Sequence, residues 1–103
     1  VREEEIYRKV LEKWGVPHQM MVLCEEYGEL IQALSKALRW GEEHPGHALP
    51  ERMKDDIAHE TADCYLMLGQ MTTAFGISER ELEHWHNAQI SKLKGYLYKE
   101  DAR

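Results

Sequence analysis

Between Thr61 and Ile77 the chain reads TADCYLMLGQMTTAFGI, and Asp63 is the only charged residue in that stretch. The stretch is core-like, and its apolar residues recur at helical rather than alternating spacing. A helix is therefore expected to carry one carboxylate into an apolar contact. An unpaired charge there costs several kcal/mol unless a partner or a cation balances it. Asp63 is preceded by Glu60 at a spacing of three, so both project from one helical face. The same arrangement occurs upstream, where Glu26 and Glu29 are three apart and follow Glu25. Val22, Leu30 and Ala33 lie one turn from the upstream pair, and Ile57, Cys64, Leu66 and Met67 flank the downstream one, so both pairs are expected to face inward. Like charges held that close need a cation. Four convergent carboxylates without cysteine or paired histidine suit a hard, oxygen-preferring ion, Mg²⁺ or Mn²⁺.

The remaining punctuation predicts four helices and no strand. The first runs from about Glu3 to Trp14, with Ile6, Val10, Leu11 and Trp14 as its stripe, and Gly15 and Pro17 end it. The second runs from about His18 to Trp40, with Met20, Leu23, Cys24, Tyr27, Ile31, Leu34 and Leu38 as the buried face, and Gly41 stops it. Gly41 to Pro50 reads as a long loop. Pro50 suits the start of a third helix from Glu51 to Phe75. Gly76 breaks that helix, and Ser78-Glu79-Arg80-Glu81 has the form of a capping box opening a fourth that reaches about Tyr98. Leu82, Trp85, Ala88 or Gln89, Leu93 and Tyr96 or Leu97 form its apolar face. The expected architecture is all-α: a single domain over residues 1–103, a four-helix bundle with two long antiparallel central helices.

At 103 residues the chain buries little surface alone, so a homodimer or homotetramer is expected to complete the core. The net charge of −6 and the absence of a basic stripe argue against a nucleic-acid partner. No apolar run matches a membrane span, and the acidic beginning is unlike a signal peptide. Cys24 and Cys64 sit in apolar helical patterns, as expected of buried free thiols in a reducing, cytoplasmic setting.

The sequence E-E-x-x-E (Glu25, Glu26, Glu29), followed by E-x-x-D (Glu60, Asp63) on the next long helix, resembles the MazG-like all-α nucleoside triphosphate pyrophosphohydrolases. The resemblance runs from about Trp14 to Leu97. It takes in W-G-x-x-x-Q before the motif, E-L-I-Q-A-L after it, and K-L-x-G-Y-L in the last helix. It implies Mg²⁺-dependent hydrolysis of a nucleoside or deoxynucleoside triphosphate to the monophosphate and pyrophosphate, in nucleotide-pool house-cleaning. Glu26, Glu29, Glu60 and Asp63 would be the metal ligands, and Glu25 would orient or deprotonate the attacking water as the catalytic residue. A triphosphate also calls for cationic and polar contacts, for which Lys36, Asn87, Lys92 and Lys94 are the candidates. Where the family's last helix often carries Lys or Asn, this chain has Gln89. Gln19, Tyr27 and Trp40 are candidates for base recognition.

Two other readings compete. Asp56-x-x-His59 and Glu83-x-x-His86 have the carboxylate-then-histidine spacing of di-iron helical bundles. A non-catalytic helical interaction protein would explain a bundle, but it leaves Asp63 without a reason.

Overall fold

The computed structural model describes residues 2–99, and all of their regular structure is helical. Helix α1 spans Glu3–Trp14, α2 Val16–Glu43, α3 Glu51–Ala74 and α4 Glu79–Tyr98. Gly15 separates the first two at φ 88°, a backbone conformation open to glycine at little cost, and its N–H still donates to the Leu11 carbonyl. Pro17 lies in the first turn of α2, where its missing N–H is no loss. Ser78 and Glu81 form the reciprocal capping box expected at the start of α4.

Helix α2 runs one turn further than expected. Gly41 does not stop it, because His44 finishes the helix instead. The His44 backbone N–H donates to the Trp40 carbonyl, and its ring stacks on the Trp40 indole at 4.2 Å between centroids. The connection to α3 is therefore shorter than the predicted loop and begins at His44.

Helices α2 and α3 form an antiparallel hairpin that holds most of the tertiary packing, and α1 lies mainly against α3. Gln19 pairs with Gln70, and Glu29 with Glu60. Residue numbers sum to 89 in both pairs, so one register runs along the seam. On the seam side of α2, Gln19 is buried and Val22, Leu23, Glu26, Leu30 and Ala33 are half-buried. That corrects the expected apolar face. Met20, Tyr27, Ile31, Leu34 and Leu38 point out of the chain, with Leu38 66 % exposed. Cys24 shares that outer side and is exposed, whereas Cys64 is buried as expected. The helix carries two apolar stripes, and the one interrupted by carboxylates is the one that meets α3.

The fourth helix departs from the expected bundle. It packs along none of the other three, and every residue from Glu79 to Lys99 is exposed. The Cα radius of gyration is 18.0 Å, where a compact chain of this length measures about 13 Å. No helix of the described residues is long and apolar enough to cross a membrane.

Candidate metal centre

The hairpin register brings the two acidic pairs together. Carboxylate oxygens of Glu26, Glu29 and Glu60 lie within 4.8 Å of one another, and ligand atoms of His59, Glu60 and Asp63 form a second group of the same size. Glu60 belongs to both. Ligands on opposite sides of one Mg²⁺ stand about 4.2 Å apart, twice the usual Mg–O distance, so either group closes on an ion with small side-chain adjustments.

The electrostatics of the cluster are unbalanced. One oxygen of Glu26 and one of Glu60, Oε2 in each, are fully buried and meet no hydrogen-bond donor. Burial, together with the Glu29, Asp63 and Glu60 carboxylates, holds the Glu26 carboxyl above the usual carboxylate range. Burial and contact with Glu29 do the same to Glu60, which His59 partly offsets. The neighbouring Cys64 thiol is pushed up by burial and by the same carboxylates. Buried polar atoms are nearly always paired, so two such oxygens in one cluster mark a place made for an electron-pair acceptor. The donor set is oxygen with one imidazole, which fits a hard divalent ion.

Asp63 is half-buried, with His59 Nε2 3.5 Å from its Oδ2, a contact that is an ion pair when the imidazole is protonated. His59 was not among the expected ligands, because its sequence spacing suggested a partnership with Asp56. One helical turn places it equally near Asp63, and within α3 its ring lies beside Asp63. Glu83 and His86, the other half of the di-iron pattern, lie on α4, so the hairpin does not gather that four-part arrangement within one chain. Glu25 is exposed, adjacent to the cluster in sequence but outside both ligand groups.

The remaining candidates divide by helix. Lys36 lines a cavity shared with Glu29 and Glu60. Arg52, which the motif gave no reason to single out, lines the same cavity. Gln19 is buried, with its amide nitrogen donating to Gln70 at 2.7 Å and its oxygen 2.7 Å from His18 Nδ1. Tyr27 lies on the outer side of α2, and Trp40 is occupied by its stacking on His44. Asn87, Lys92 and Lys94 are on α4 and are not brought to the carboxylates within one chain. No family model, curated protein or solved structure matches the chain.

Proposed function

We propose that the protein is a divalent-metal-dependent pyrophosphohydrolase, with Mg²⁺ or Mn²⁺ as cofactor, that converts a nucleoside or deoxynucleoside triphosphate to the monophosphate and pyrophosphate. The observation that carries this reading is the pair of buried, donor-less oxygens of Glu26 and Glu60 at the centre of a carboxylate cluster. The MazG-like motif supports the reaction class. Glu26, Glu29, Glu60 and Asp63 would hold the metal, with Glu60 common to both ligand groups and His59 as a fifth donor. A divalent ion held there would neutralise phosphate oxygens and supply a water acidic enough to attack at neutral pH. Glu25, exposed beside the cluster, would be the base that takes the attacking water's proton, and the oxygen bridging the α- and β-phosphorus would leave with the pyrophosphate. An acidic protein thus handles an acidic substrate through cations rather than through a basic surface.

The same reading includes a homo-oligomer. The outer stripe of α2 and the apolar residues of α4, Trp85 at 63 % exposure among them, are uncovered in one chain. A second copy would bring stripes of the same kind to cover them, since symmetric self-association is the common way for a small chain to bury such residues. Sedimentation at equilibrium tests this, and a monomer at micromolar concentration would count against it.

The decisive assay for the activity is a panel of ribo- and deoxyribonucleoside triphosphates with Mg²⁺, read for pyrophosphate against orthophosphate. Pyrophosphate from at least one of them is expected. Folded, oligomeric protein that releases none from any would refute the reading.

A further inference from the structure

The α2–α3 seam continues past its carboxylates toward the His44–Pro50 connection, where it opens into a cavity of about 370 Å³. Glu29 and Glu60 wall one part of it, and Lys36, Arg52 and Asp56 line it as well. Lys36 lies seven residues beyond Glu29 and Arg52 eight before Glu60, rises of about 10 and 12 Å along antiparallel helices. Both cations therefore stand at the same end of the seam, displaced from the carboxylates in the same direction.

Neither cation is spent. The ion pairs among the described residues are Arg8–Glu4 and His59–Asp63, although Asp56 stands one turn from Arg52 and borders the same cavity. Next to carboxylates that already lack donors, two uncommitted cations in a cavity form a polar gradient. Cation-seeking oxygens occupy one end and anion-seeking nitrogens the other. A metal-bridged polyphosphate has the matching order of charges. The cluster carboxylates and a triphosphate together also carry more negative charge than two divalent ions cancel.

We propose that Arg52, with Lys36 beside it, is the phosphate clamp of the site. It binds the pyrophosphate portion of the substrate, which therefore lies toward the α2–α3 connection. This rests on the metal-dependent nucleotide reading above and adds to it a residue and a direction. Arg52 presents a planar fork that can grip two phosphate oxygens at once, whereas Lys36 contributes a point charge.

The test is calorimetric titration of inorganic pyrophosphate into protein saturated with Mn²⁺, for the wild type, Arg52→Gln, Arg52→Lys and the Arg52→Gln/Lys36→Gln double variant. Mn²⁺ alone is titrated into each as a reference. Arg52→Gln is expected to weaken pyrophosphate by about tenfold or more, the range of one charge-assisted contact, with Mn²⁺ affinity unchanged. Arg52→Lys recovers part of the loss, and in turnover Arg52→Gln raises KM by a larger factor than it lowers kcat. Pyrophosphate affinity that stays the same in the double variant overturns the assignment, as does wild-type protein that takes Mn²⁺ but no pyrophosphate. Wild-type protein that takes no Mn²⁺ overturns the metal reading and this inference with it.

Discussion

Replacing Gly69 by alanine tests whether α1 is seated on α3 as described. A Cβ at Gly69 would stand 2.7 Å from Tyr7 Cε2 and 3.0 Å from both Cζ and Oη of the same ring. Carbon atoms rest at about 3.5–4.0 Å, so the ring must retreat by roughly 1 Å. The ring itself is rigid, so it yields by leaving its rotamer or by carrying with it α1, whose main contact is α3. Such overpacking costs about 1–3 kcal/mol. Against it stands the gain from removing a glycine inside a helix, about 0.8–1.0 kcal/mol. Gly28, in the interior of α2, supplies the control, because nothing lies within 4 Å of a Cβ there and only the gain remains. The two substitutions should therefore differ by about 1–3 kcal/mol. At about 4–8 °C per kcal/mol for a domain of this size, Gly28→Ala melts clearly above Gly69→Ala. The assay is thermal unfolding by circular dichroism at one fixed protein concentration, since association shifts Tm. Truncating Tyr7 to alanine should make Gly69→Ala stabilising, a change of sign that a double-mutant cycle reads directly. If Gly69→Ala raises Tm as much as Gly28→Ala does in the presence of Tyr7, the α1–α3 contact is refuted.

The metal-free carboxylate cluster should weaken the fold as pH rises. Glu26 and Glu60 are held above their ordinary value of 4.5, so their contribution is fully present below that pH and is lost as pH climbs through the raised values. The Tm difference between wild type and Glu26→Gln/Glu60→Gln in EDTA should accordingly fall from pH 4.5 to neutrality, and a constant difference would contradict it. Mg²⁺ or Mn²⁺ at about 100 times its Kd should stabilise the wild type by about 2.7 kcal/mol, and Glu60→Gln should abolish that gain while remaining folded, as followed by differential scanning fluorimetry. In the buried Gln19–Gln70 pair, Gln70→Leu removes the acceptor of the Gln19 amide and should cost about 1–3 kcal/mol in urea unfolding. The Gln19→Leu/Gln70→Leu double variant should recover much of that loss, because no donor is then left buried without a partner.

Local chemistry was legible in the chain itself. The Ser78–Glu81 capping box, the helix start after Pro50 and the break at Gly76 depend on neighbours a few residues away, and the structure has them where the sequence places them. The inward turn of Asp63 and its neighbour Glu60 was legible for a related reason: a charge alone among apolar residues has few acceptable positions. Of the upstream pair, also expected to face inward, Glu26 is half-buried and Glu29 is exposed. The end of α2 was misplaced because glycine is only a weak stop. Stacking and hydrogen bonding by His44 outweigh it.

Which of two apolar stripes on α2 becomes interior was not a local question. Both have helical period, and apolar content favours the one that stays outside. Packing against α3 instead selects the stripe whose carboxylates meet Glu60 and Asp63. Partner choice across the seam likewise decides that Gln19 is spent on Gln70 and that Arg52 shares a cavity with Lys36. Position along a helix specifies direction and spacing, so the sequence by itself determined four helices and two acidic pairs three residues apart. Only the tertiary structure decided which faces meet, because that depends on the register between helices distant in the chain. It also leaves α4, legible in full as a helix, without a neighbour inside its own chain.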